Sequence, residues 1–263
     1  MITESSLLLL SALFGAVVGS FLNVVILRLP EPDQSIVFPA SHCPRCNAPL
    51  HWYENIPILS YLFLRGRCGH CRGSISLQYP LVELLMALVT VALVHRFQFS
   101  VATVGYFVFS AALLVIIFID IRHQIIPDVI SLPGIVLGVL FSLVSNTVTW
   151  QSSLIGLLVG GGVLYAIALL YTLLRKIDGM GGGDIKLLAM IGAWLGWQAL
   201  PFIIFMSSTT GSIIGIIAMR SQKKGGQTRI PFGPFLSLAA LVYVFFSDNI
   251  FHYYTLYLTG QWP

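Results

Sequence analysis

Two sets of residues in this chain have types and spacings that could do chemistry: four cysteines in one short polar stretch, and four aspartates at the edges of apolar runs. The cysteines form two C-x-x-C pairs, Cys43-Pro-Arg-Cys46 and Cys68-Gly-His-Cys71, with 21 residues between them. Each pair can turn two thiolates onto one metal ion, and the two turns together complete a tetrahedral zinc site. Four thiolates leave no open position for water, so this zinc would be structural, holding a segment too small to build a core. His42, His51 and His70 are spare ligands that read better as solvent-facing or supporting groups. The competing reading, a pair of disulfides, requires an oxidising compartment.

The aspartates are Asp120, Asp128, Asp178 and Asp184. Two carboxylates sharing a site cannot both ionise readily, so one can act as base on a water while the other donates a proton to a scissile peptide. No serine–histidine or cysteine–histidine arrangement competes with that chemistry. Asp120 ends the apolar run Ala111 to Ile119, where an ion pair with Arg122 or His123 is an equal alternative. Asp128 follows Pro127 and opens an apolar run, as a helix N-cap does. Asp178 lies in a basic, glycine-rich loop and reads as solvated. Asp184 follows Gly179-Met-Gly-Gly-Gly183, whose glycines let the backbone approach another segment closely; an ordinary helix cap is the plainer reading. Local context alone does not choose Asp120 over Asp128.

The elements that must position these groups are membrane helices. Of the 263 residues, 57% are hydrophobic and 9% charged, and the mean hydropathy is +0.88. A soluble domain carries roughly 25% charged residues, so lipid is the main solvent here. Apolar runs predict an all-α polytopic membrane protein with about eight helices, over 6–28, 79–95, 100–119, 128–145, 152–174, 184–197, 200–219 and 232–258. The sixth run is short. This divides the chain into a first span (1–29), a small four-cysteine insert between the first two helices (30–78) and a membrane bundle (79–263). The first run lacks a basic segment before it and reads as a retained span.

With eight spans, one set of loops holds 13 of the 14 lysines and arginines, and the other holds Arg96 alone. By the positive-inside rule the insert and the aspartates face the cytoplasm, and both termini face out. That places the cysteines on the reducing side and favours zinc over disulfides. No basic–aromatic interleaving suggests nucleic acid as a partner.

Taken together, the motifs resemble the bacterial type IV prepilin peptidases, bifunctional leader peptidase/N-methyltransferases and GxGD-type aspartyl membrane proteases. The matching stretches are Gly19-Ser-Phe-Leu-Asn-Val-Val-Ile-Leu-Arg-Leu-Pro30, both C-x-x-C pairs, Trp52 to Tyr61, Tyr79-Pro-Leu-Val-Glu-Leu-Leu85, Phe118 to Asp128, and Gly179-Met-Gly-Gly-Gly-Asp184. They follow the family order from the first span to the sixth. The resemblance implies that Asp120 and Asp184 are the catalytic pair. It implies prepilin or pseudopilin substrates with a basic leader, cut after a glycine at the inner membrane. It further implies methylation of the new N-terminus from S-adenosylmethionine, with the zinc segment tied to that second activity. Asn23 and Glu83 match family motifs inside apolar helices; an interhelical hydrogen bond and a first-turn carboxylate are their plainer readings. Two other classes fit parts of the sequence. An ion-coupled transporter would use the aspartates as ion sites, but there is no inverted repeat. A non-catalytic, zinc-bearing assembly subunit would use them as helix caps.

Overall fold

The structure is a computed structural model that describes residues 4–32, 34–175, 181–222 and 230–259. Asp178, Gly179 and Met180, and the basic residues Lys176, Lys223, Lys224 and Arg229, lie outside the described residues. Nine α-helices run through the described chain: α1 Glu4–Arg28, α2 Leu59–Phe63, α3 Gln78–Phe97, α4 Val101–His123, α5 Asp128–Val144, α6 Trp150–Arg175, α7 Gly182–Leu195, α8 Leu200–Gln222 and α9 Gly233–Thr259. Among the described residues there are only isolated β-bridges, both in the insert. Every expected helix has an observed counterpart, and α2 is an addition within the insert. Among the described residues six helices are long and apolar enough to cross a membrane, and α5 is a shorter apolar helix.

The chain forms two compact units, Met1–Val115 and Ile116–Pro263. In the first, α1 packs on α3 along a seam of small residues. A methyl group on Gly19 would stand 2.7 Å from the Glu83 Cα, and one on Gly15 would collide with Thr90 and the Met86 carbonyl. Backbones that approach this closely exclude larger side chains, the usual device for joining helices without a hydrophobic drive. Asn23 donates from Nδ2 to the Tyr79 carbonyl across the same seam at 3.1 Å, the interhelical bond its position suggests.

Glu83 departs from its expected role. It lies beyond the first turn of α3, is 6% exposed, and its Oε2 accepts the Ile58 amide at 2.7 Å. Ile58 has φ +62, a conformation that a β-branched residue adopts only when its surroundings enforce it. The carboxylate therefore clamps a strained turn of the insert onto a membrane helix. A buried hydrogen bond to a charged group contributes about 1.5–3 kcal/mol. Glu83→Ala is accordingly expected to speed trypsin cutting in the insert by tenfold or more while the helical bundle stays intact. Unchanged cutting kinetics would show that the clamp contributes nothing.

The second unit is built around α7. All nine residues from Leu187 to Leu195 are buried, so this helix is core to the bundle and needs no lipid-matching length. At 14 residues it is about 21 Å long, against roughly 30 Å of hydrocarbon core. Gly156 of α6 and Gly192 of α7 meet backbone to backbone. Ser153 Oγ donates to the Ala193 carbonyl at 2.6 Å, and Trp194 Nε1 donates to the Gly134 carbonyl of α5 at 2.8 Å. These contacts fix α7 rigidly, and with it the residue at its first turn.

Candidate active site

Asp184 sits in that first turn. The cap position is taken by Gly181, with φ −70 and ψ 138 and no side-chain cap, and the Asp184 amide bonds back to the Gly181 carbonyl at 3.2 Å. Its carboxylate is thus not spent on capping α7. Asp120 lies in the last turn of α4 and is 4% exposed. Its Oδ2 accepts the Gly233 amide, at the start of α9, at 3.1 Å. Among the described residues no ion pair involves Asp120, so the pairing with Arg122 or His123 that the sequence allows is not what holds it.

The two aspartates open onto one cavity of about 390 Å³, lined also by Gln124, Ile125, Ile126, Asp128, Gly181, Gly182, Gly183 and Lys186. Asp128 lines it but does not act as the expected cap. Pro127 occupies the N-cap of α5, and both Asp128 oxygens accept from Lys186 Nζ, at 2.7 and 2.8 Å. One carboxylate in the cavity is therefore paired with a lysine, while among the described residues neither Asp120 nor Asp184 has an ion pair. Among the described residues, then, Asp120 and Asp128 have different partners, a difference that sequence context does not show.

Comparisons with known proteins bear on the chain as a whole. The profile of the bacterial peptidase A24 N-terminal domain matches residues 13–97, and that of the type IV leader peptidase family matches residues 107–216. A prepilin leader peptidase/N-methyltransferase of Aeromonas hydrophila is 39% identical, covering 92% of this chain and 91% of its own. The chain belongs to the type IV leader peptidase family. Relatives bearing the same name in Pseudomonas aeruginosa and Neisseria gonorrhoeae are 38% and 37% identical, over 92% and 95% of this chain. No solved structure matches it.

The leader peptidase fold brings its four cysteines together independently of the aspartates, in the other compact unit. The sulfurs of Cys43, Cys46, Cys68 and Cys71 all lie within 4.8 Å of one another. Cys43 Sγ and Cys71 Sγ are 3.9 Å apart, far beyond a disulfide bond of about 2.05 Å. That distance is close to the edge of a tetrahedron with metal–sulfur bonds of about 2.3 Å, which is roughly 3.8 Å. The two knuckles repeat one geometry. The Asn47 amide bonds the Cys43 carbonyl at 2.9 Å and the Arg72 amide bonds the Cys68 carbonyl at 3.0 Å. Asn47 and Arg72 have φ 55 and φ 60.

Backbone amides of Cys46 and Arg45 bring the Cys43 thiol down to about 6, and those of Cys71 and His70 lower Cys68. The Ala48 amide acts in the same direction on Cys46, but desolvation and the neighbouring sulfurs outweigh it and push that thiol to about 11. Amides stabilise the first thiolates, and crowding opposes the last: such a donor set fits a divalent cation, which favours every thiolate at once. His42, His51 and His70 are exposed. His51 stacks on Tyr53 and His70, a supporting role outside the sulfur set.

The sequence reading missed Gly233, Ile126 and Lys186. Gly233-Pro234 at the start of an apolar run carried a usable signal, because proline inside the first turn marks a helix N-terminus. Nothing local pointed from there to Asp120, 113 residues away.

Proposed function

We propose that this protein is an aspartyl prepilin peptidase and N-methyltransferase: it removes the basic leader from type IV prepilins and type II secretion pseudopilins, then methylates the new N-terminal residue. The observation that carries the peptidase reading is the shared cavity, into which α4 and α7 present Asp120 and Asp184. One carboxylate takes a proton from water as the water attacks the scissile carbonyl. The other, protonated, shares its proton with the developing oxyanion. Collapse of the tetrahedral intermediate then breaks the C–N bond as the first carboxyl gives the proton it took from water to the leaving amine, and the second recovers its own. The proposed orientation, both termini periplasmic and the cavity at the cytoplasmic face of the inner membrane, rests on the lysine and arginine distribution. A basic leader retained in the cytoplasm would meet the aspartates there.

Cys43, Cys46, Cys68 and Cys71 would hold a structural zinc in the segment from 30 to 78, between the span 1–29 and the bundle 79–263. S-adenosylmethionine is the methyl donor in this reading, on the strength of the relatives' names. Asn23 and Glu83 both have structural partners. One is tied to Tyr79 and the other to Ile58, and the helices touch at Gly15 and Gly19, so no step of methyl transfer is drawn through them.

The test is cleavage of a purified prepilin by the protein in lipid vesicles, with mass spectrometry of the new N-terminus. The expected product begins after the leader glycine and carries one added methyl group. Asp128→Asn serves as the internal control. The Asp128 and Lys186 side chains are 54% and 40% exposed, and an exposed pair contributes about 1 kcal/mol or less. Cleavage should fall by less than about fivefold. Loss of cleavage in Asp128→Asn equal to that in Asp120→Asn would overturn the choice of catalytic pair.

A further inference from the structure

We infer that Gly233 is a positioning residue for Asp120, and that the position is glycine because the carboxylate occupies the space a side chain would need. This rests on the peptidase reading above and adds to it the group that holds one of its two aspartates in place. Three observations meet at this point. The Gly233 amide donates to Asp120 Oδ2 at 3.1 Å in a buried setting. A Cβ at Gly233 would lie 2.6 Å from that same oxygen and 3.1 Å from Ile126 Cδ1. Ile126 in turn fills the space beside Gly183, where an added Cβ would stand 3.0 Å from its own Cβ. One isoleucine is thus wedged between the residue preceding Asp184 and the residue bonded to Asp120.

The amide belongs to the first turn of α9, whose N–H groups have no partner within their own helix. Asp120 supplies that partner from 113 residues away. The bond ties the last turn of α4 to the start of α9, and the carboxylate it orients is one of the two facing the cavity. An alanine at 233 must push the oxygen from 2.6 Å towards ordinary contact at 3.4 Å or more. Displacing a reacting group by about 1 Å can cost 10²-fold in rate.

The experiment is a double-substitution cycle read in two ways. For Gly233→Ala, kcat for prepilin cleavage is expected to fall about 100-fold with KM within twofold, since Gly233 does not line the cavity. A fall of less than threefold, or a loss confined to KM, would overturn the inference. The second readout is thermal unfolding and needs no activity. Gly233→Ala should lower the midpoint in the parent protein but shift it much less in an Asp120→Ala background, where the colliding oxygen is gone. Equal shifts in both backgrounds would overturn the contact. If Gly233→Ala alone does not fold, recovery of folding in the Asp120→Ala/Gly233→Ala protein supports it, and failure of both refutes it. Full cleavage by Asp120→Asn would instead refute the peptidase assignment, an outcome the unfolding cycle does not depend on.

Discussion

Asp120→Asn and Asp184→Asn are each expected to lower prepilin cleavage by at least about a thousandfold, with prepilin binding retained. General acid–base catalysis by one positioned group contributes typically 10²–10⁴-fold, and here each carboxylate works only through the other. Asparagine keeps the shape and can still accept the Gly233 amide through its side-chain oxygen, so the loss would report lost proton transfer and not a collapsed site. The two substitutions should also be far from additive. Once either member of the pair is gone the remaining carboxylate has no partner, and the double variant should be scarcely slower than the worse single one. Cleavage is followed by the mobility shift of the pilin in membranes, and binding by pull-down with a tagged prepilin. Full cleavage in both single variants would remove the aspartates from the mechanism. A double variant slower by the product of the two effects would mean that they act in separate steps.

The same pair shows what a sequence can and cannot convey. The helices were legible because apolar runs of membrane length have one solution in lipid, where every backbone group must be satisfied within the segment. The cysteine cluster was legible because C-x-x-C pairs encode metal geometry locally. The roles of the individual carboxylates were not local. Asp128 resembles a cap, but Pro127 stands at the cap position and Lys186, 58 residues on, takes both carboxylate oxygens. Asp120 has a basic neighbour two positions along, yet its bond is to an amide at the start of α9. The sixth apolar run is short for a lipid span, but protein surrounds the helix it forms from Leu187 onwards, so lipid thickness does not set its length. In each instance the deciding partner came from another helix, and hydropathy says which helices exist without saying which faces meet.

Removing the metal should separate the two activities. Between Pro30 and Leu77, Cys43 and Cys68 are the only buried residues among those described, so the insert has no hydrophobic core to fall back on. A structural zinc in a small domain supplies about 10–16 kcal/mol of apparent binding free energy, comparable to the whole stability of an ordinary domain, about 5–15 kcal/mol. Cys46→Ser, or chelation of the parent protein, is therefore expected to unfold the insert and free the backbone at the already exposed Arg65, Arg67 and Arg72 for trypsin. Asp120, Asp184 and Gly233 belong to the other compact unit, and the bond between Gly233 and Asp120 does not involve the cysteines. Cleavage should persist within about tenfold, while N-methylation is lost. The parent protein should carry one zinc per chain by metal analysis, and Cys46→Ser close to none. Zinc-free parent protein with a trypsin-resistant insert would rule out the metal. Equal loss of cleavage and methylation on chelation would show instead that the insert supports both reactions.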